Sequence, residues 1–250
     1  MNDFKKYKRF FAFGCSMTQY NWPTWADILA KQIPESYNYG KSGAGNIYIS
    51  AMVAEANMRY KFTKHDLVIV MWSTANREDR YYMHWQTHGN LYNQDFYSKD
   101  FVKNYVDHRG QLIRDFALIS LTTGLLDTIG CDYRSLSMQP LTIGLADGYK
   151  YNDVIELYQP VINSITFNLL DHGCDGKWKS LLIRSKTPGG QTEDYHPSPS
   201  IHFKFIQKVF PNSEWSTETI SFVDKADNEV LVTEFLEDLT FNRLPRPITL

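Results

Sequence analysis

Hydrophobic and polar positions along this chain fall into short, dense apolar runs separated by longer stretches with helical spacing. Lys8 to Phe13 ends in an unbroken apolar run, bounded by charge before it and by Gly14 after it, which predicts a buried first strand. Leu67 to Trp72 is the densest run. A continuous, β-branched-rich stretch of this kind suits a strand covered on both faces, as in a parallel sheet. Tyr37 to Tyr39 and Asp132 to Ser137 read as further strands, and Lys177 to Arg184 as a short one. Trp22 to Ile33 sets Trp25, Ile28, Leu29 and Ile33 at helical spacing, with Pro23 in the first turn. Ile47 to Tyr60 predicts a second helix, and Asp100 to Ile129 a single long one with Phe116, Ile119 and Leu125 toward a core. Asp153 to Leu170 reads as a helix interrupted at Pro160, followed by helices over Pro197 to Val209 and Glu229 to Leu239. Thr74 to Ser98, polar and aromatic, predicts a long loop or insertion; Leu141 to Lys150 is a second loop, and 211–250 a C-terminal extension. Strand alternates with helix and no internal repeat occurs. The expectation is a single domain over 1–250, three-layered α/β with right-handed crossovers and a mostly parallel central sheet.

Composition narrows the function classes. With 43% hydrophobic and 22% charged residues, the 250-residue chain can fill an ordinary core. A net charge of −2 leaves no electrostatic footprint for nucleic acid. Cys15, Cys131 and Cys174 are too scattered for a disulfide framework, and no CxxC or HExxH spacing appears, so neither a metal nor a cofactor is expected. No segment approaches a membrane-spanning length. The apolar run Phe10 to Phe13 is shorter than the core of a signal peptide, so the expectation is no leader and a cytoplasmic protein.

The chemistry lies in three places. Gly14-Cys15-Ser16-Met17-Thr18 puts a serine at a tight exit from the first strand. Asp194-Tyr195-His196-Pro197 lies far downstream and carries an imidazole and a carboxylate two residues apart. Gly40-Lys41-Ser42-Gly43-Ala44-Gly45-Asn46 supplies a glycine-rich loop before the second helix. Together they offer Ser16 as nucleophile, His196 as base and Asp194 to orient it. The Ser16 and Gly43 backbone N–H groups are candidate oxyanion donors, because a glycine at 43 lets the main chain approach closely. His202 competes for the base role. It would fall well inside a helix, where packing sets its direction, whereas His196 precedes Pro197 on a loop. Cys15 reads as a small buried residue behind the serine, and Arg77 and Arg80 as substrate-facing or solvated.

The order of these blocks resembles the SGNH/GDSL hydrolase family. Gly14, Cys15 and Ser16 stand where that family has Gly-Asp-Ser; Asn38 to Gly43 matches its second block, and Asp194, His196 and Pro197 its last. Trp72-Ser73-Thr74-Ala75-Asn76 departs from the third block, with the asparagine displaced by one residue; the resemblance implies Asn76 as a third oxyanion donor, with Thr74 in its place or a hole of two donors as the alternatives. The family often sets its aspartate three residues before the histidine, which makes Glu193 the alternative acid to Asp194. The resemblance implies a flavodoxin-like α/β/α fold and a serine esterase working through an acyl-enzyme on Ser16. A glycan O-acetyl group is the favoured substrate, given the aromatic-rich segment over 80–97. The wording Trp-Pro-Thr-Trp, Lys-Ser-Gly-Ala-Gly-Asn and His-Pro-Ser-Pro is also similar to family members encoded by tailed phages of marine bacteria. That narrower likeness implies an alternative: a virion structural or receptor-binding protein, partnered by other virion proteins, that keeps the fold with little turnover.

Overall fold

Two apolar strands set the architecture: β1 (Arg9–Phe13), buried from Phe10 onward, and β3 (Asp66–Trp72), buried at every residue. They pair in parallel, with Phe11 opposite Val68, so each covers the other's backbone groups. The remaining strands of this sheet are β2 (Glu35–Asn38) outside β1, then β6 (Asp132–Ser137) and the two-residue β7 (Phe167–Asn168) outside β3. The order β2-β1-β3-β6-β7 is parallel throughout. Residues 3–93, 96–142, 151–184 and 191–233, with isolated positions between 235 and 249, are described by this computed structural model. The predicted loop at 141–150 falls from residue 143 onward outside the described residues.

Helices cover both faces. The chain steps from β1 to β2 through α1 (Trp25–Leu29), then back past β1 to β3 through α2 (Asn46–Tyr60). Right-handed crossovers in opposite directions place those helices on opposite faces. Accordingly α1 packs with α8 (Pro199–Val209) and α9 (Thr217–Val232), while α2 packs with α4 (His108–Ile129). The result is the three-layer α/β/α arrangement expected, with strand order reversing between β1 and β3. The carboxyl ends of those two strands therefore border the crevice where such sheets hold ligands.

Several predicted elements change on folding. Thr74 to Ser98 is not all loop: β4 (Arg77–Tyr82) and β5 (His84–Asn90) form an antiparallel hairpin. Its strands are mostly half-exposed, so no apolar run announced them. The long helix over 100–129 is two, α3 (Lys99–Tyr105) and α4, because Val106 and Asp107 are extended and the Asp107 carboxylate caps α4 at the Arg109 and Gly110 N–H groups. Asp153 to Leu170 breaks into α5 (Asn152–Leu157), α6 (Gln159–Asn163), β7 and the start of α7 (Leu169–His172). The 3₁₀ turn Ala30–Gln32 replaces the end of the first predicted helix. The final helix is α9, capped by Ser216 at the Thr219 N–H and ended at Val232, not Glu229 to Leu239. The short strand expected over 177–184 is β8 (Leu181–Arg184), which pairs with β9 (Gln191–Asp194). No helix among the described residues is long and apolar enough to cross a membrane.

Candidate active site

The serine is positioned by a turn that leaves β1 at its carboxyl end. A side chain at position 14 would meet Thr18 Oγ1 at 2.1 Å and Met71 O at 3.1 Å, so only glycine permits the bend. The Thr18 and Gln19 N–H groups then return to Cys15 O at 2.9 and 3.2 Å, closing the turn around Ser16. Thr18 O is held in turn by the Thr24 hydroxyl at 2.6 Å and the Asn38 amide at 2.9 Å. Asn38 is fully buried at the end of β2, and its Oδ1 also accepts from Gly40 N–H at 2.9 Å. One side chain thus ties the serine turn to the glycine-rich loop. Cys15 is buried behind the serine, as expected.

The histidine arrives from the other end of the chain. Asp194 is the last residue of β9, and its Oδ1 accepts both the backbone N–H and the Nδ1 of His196, each at 2.8 Å. The two-residue spacing works because one carboxylate oxygen closes a local turn and grips the ring at once. In the tautomer whose Nδ1–H donates to Asp194 Oδ1, Nε2 is the acceptor. Nε2 lies 2.8 Å from Ser16 Oγ, across 180 residues of sequence. Helix α8 begins at Pro199, two residues later than the predicted start, and Pro197 instead offers its carbonyl to Trp22 Nε1 at 2.7 Å.

Tyr20 completes this group, and the sequence offered no sign of it. Its ring stacks on His196 with centroids 3.6 Å apart and planes 14° apart, while Trp22 meets its edge at 4.6 Å. Its hydroxyl donates to Asp194 Oδ2, so both carboxylate oxygens are satisfied. Burial alone would raise the Asp194 carboxyl, but hydrogen bonds from His196 and Tyr20 hold it below the usual carboxylate range. Burial, with Asp194 beside it, raises the Tyr20 hydroxyl, which therefore stays protonated and keeps donating.

The alternatives fall elsewhere. Glu193 is exposed and bonded to the Tyr195 hydroxyl, so Asp194 is the carboxylate that meets the imidazole. His202 lies on α8 with no exposure, and neither ring nitrogen has a hydrogen-bond partner. Burial, and then the neighbouring His196, push it down to about 3, so it is neutral and is not the histidine at Ser16. Thr74 and Asn76 hydrogen-bond each other, and among the described residues neither is bonded directly to Ser16, His196 or Gly43. Arg77 donates to Ala44 O at 2.9 Å and Arg80 lies over the Phe101 ring, which gives both arginines protein partners.

The glycine-rich loop runs beside the serine turn, with Lys41 N–H donating to Gly14 O at 3.1 Å. Gly43 has φ +74°, and a side chain there would meet Thr87 O at 2.2 Å. The β4–β5 hairpin lies directly against this loop. Its Asp79 carboxylate accepts from the Gly45 and Tyr48 N–H groups, both at 2.8 Å, and so caps α2, whose own N-cap Gly45 has no side chain to do it. Beneath the loop, Asn46 exchanges hydrogen bonds with both backbone groups of Ser73 and donates to Asp115 at 2.8 Å. Burial pushes Asp115 up to about 6 against the opposing pull of Arg114.

A cavity of about 460 Å³ opens beside this group, lined by Gln19, Tyr20, Asn21 and Ser42 and by Phe241, Leu244 and Pro245. A larger one of about 610 Å³ lies between the hairpin and α3–α4, and none of Ser16, His196 or Asp194 lines it.

No family model matches the chain, and no curated protein matches it significantly. Among solved structures, it is similar to a GDSL-like lipase from Bacteroides thetaiotaomicron, with 16% identity, 90% of this chain and 92% of that one covered, and a TM-score of 0.44. A member of the lipolytic G-D-S-L family from Veillonella parvula shows 12% identity, coverage of 82% and 97%, and a TM-score of 0.42. The psychrotrophic esterase EstA from Pseudoalteromonas sp. shows 9% identity, coverage of 82% and 100%, and a TM-score of 0.43. Likeness this distant carries no argument about chemistry, which rests on the arrangement of Ser16, His196 and Asp194.

Proposed function

We propose that this chain is a serine ester hydrolase acting through an acyl-enzyme on Ser16. The observation that carries the reading is the unbroken hydrogen-bond series Ser16 Oγ–His196 Nε2 and His196 Nδ1–Asp194 Oδ1, each 2.8 Å. Ser16 Oγ attacks the ester carbonyl while His196 Nε2 takes its proton, and Asp194 stabilises the imidazolium that forms. The Ser16 and Gly43 N–H groups stabilise the tetrahedral oxyanion, with Asn76 or Thr74 as a third donor. Collapse of the intermediate breaks the bond to the leaving oxygen, which receives the His196 proton as the alcohol departs. Water then attacks the acyl group, giving its proton to His196, and the second collapse returns Ser16 and releases the acid.

The alcohol, in this reading, carries further hydroxyls, and an O-acetylated glycan is the favoured substrate. What supports it is the polar lining of the cavity at Gln19, Tyr20, Asn21 and Ser42, which suits hydroxyl groups better than an acyl chain. Fluorophosphonate labelling tests the nucleophile: wild type should be labelled and Ser16→Ala should not. Acetate release from an O-acetylated polysaccharide, compared with 4-nitrophenyl acetate and a long-chain 4-nitrophenyl ester, tests the substrate class. A preference for the long-chain ester would overturn the glycan assignment, and absence of both labelling and turnover would overturn the hydrolase.

A further inference from the structure

We propose that Thr87, on the inserted hairpin, is a positioning residue that aims the Gly43 N–H at the reacting carbonyl oxygen; this rests on the hydrolase reading above. Gly43 sits between two peptide units, and the hairpin grips the carbonyl of each. The Thr87 hydroxyl donates to Ser42 O at 2.8 Å, and the Gly89 N–H donates to Gly43 O at 3.0 Å. In a trans peptide the C=O and N–H point in opposite directions, and the described chain has no cis bond. Fixing Ser42 C=O toward the hairpin therefore fixes Gly43 N–H away from it. Fixing Gly43 C=O does the same for the Ala44 N–H, which turns back to Lys41 O at 3.0 Å, so the Ala44 N–H is engaged within the loop while the Gly43 N–H is turned from the hairpin.

The loop cannot hold this orientation unaided. A glycine with φ +74° has access to many other conformations, so the Ser42–Gly43 peptide is free to rotate once its external bonds are removed. Three more contacts fasten the hairpin to the same stretch: Lys41 Nζ to Trp85 O at 2.6 Å, Arg77 to Ala44 O at 2.9 Å, and Asp79 to Gly45 N–H at 2.8 Å. They hold the loop's two ends, whereas Thr87 is the side chain on the peptide that carries the donor. The hairpin thus does for the oxyanion loop what the sheet does for Ser16: it sets a backbone direction before substrate arrives.

Thr87→Val keeps the shape and removes the hydroxyl; Thr87→Ser keeps the hydroxyl. Hydrolysis of 4-nitrophenyl acetate by the full chain should show Thr87→Val reducing kcat about 10- to 100-fold, with KM within about twofold and the melting temperature unchanged. Thr87→Ser should restore most of the loss. An alkyl boronic acid, whose adduct with Ser16 carries the same oxyanion, should bind Thr87→Val more weakly by about the factor lost in kcat/KM. A fully active Thr87→Val, or a Thr87→Ser as impaired as the valine variant, overturns this proposal while leaving the hydrolase intact. Wild type lacking any Ser16-dependent turnover overturns both.

Discussion

The ring of Tyr20 lies flat on the imidazole of His196, centroids 3.6 Å apart, while its hydroxyl donates to Asp194. One side chain therefore fixes the plane of the base and the orientation of the acid. A hydrogen bond to a charged group is worth about 1.5–3 kcal/mol, so Tyr20→Phe, which keeps the stack and loses the donor, should lower kcat about tenfold or more. Tyr20→Leu removes the stack as well and should cost more. Steady-state kinetics on a 4-nitrophenyl ester decide the matter; an unimpaired phenylalanine variant would show that the hydroxyl does not position Asp194.

Asp194 and Glu193 are adjacent in sequence and opposite in consequence. Asp194→Asn leaves Nδ1 facing an amide and favours the wrong imidazole tautomer, so kcat should fall by about 10³- to 10⁴-fold. Glu193→Gln alters an exposed group bonded to Tyr195 and should leave kcat unchanged. A reversal of these two effects would mean that the acid has been misassigned.

Asp194 also links stability to pH. Its carboxyl is held below the usual range in the folded protein, so its contribution is present above the unfolded value, about 3.9, and is lost as pH falls through the folded value. Tyr20→Phe removes one of the bonds that depress it, and acid unfolding followed by circular dichroism should move to higher pH in that variant.

His202 acts in the same direction by a different route. Buried and pushed down to about 3, it stays neutral in the fold while the unfolded chain takes up a proton below about pH 6.5. The unfolded state then binds more protons, so stability falls on acidification between those limits. Replacing His202 with Gln should flatten the pH dependence of the denaturation midpoint in that window and leave Ser16 reactive toward fluorophosphonate. Loss of labelling in a folded His202→Gln protein would give that histidine a role in the reaction.

Gly43→Ala should be costly on two counts. The backbone at φ +74° is strained for alanine, and its Cβ would stand 2.2 Å from Thr87 O. Destabilisation of about 1–3 kcal/mol is expected, read as a lower melting temperature, together with a fall in kcat as the loop parts from the hairpin. Gly124→Ala, at a helical glycine with open space around it, is the matched control and should be neutral or stabilising.

Much of the fold was legible because burial on both faces writes itself into sequence. Phe10 to Phe13 and Leu67 to Trp72 pointed to buried strands, since a short run that is apolar at every position suits a strand covered on both faces, as helices cover a parallel sheet. Ser16 after Gly14, and His196 two residues after Asp194, were equally visible, because a tight turn and a local carboxylate turn depend on neighbours in the chain. The break at Val106 and Asp107 was hidden within one helical periodicity and was decided by a cap. The hairpin was hidden because its strands are half-exposed and carry no apolar run. Only tertiary structure decided that Tyr20 would stack on a histidine 176 positions away, that Asn38 would join the serine turn to the glycine loop, and that Thr87 and Asp79 would grip that loop from outside. Each of these contacts joins polar groups far apart in the chain. Local propensity and periodicity register only near neighbours, so such partners are chosen by the packing that brings their backbones together.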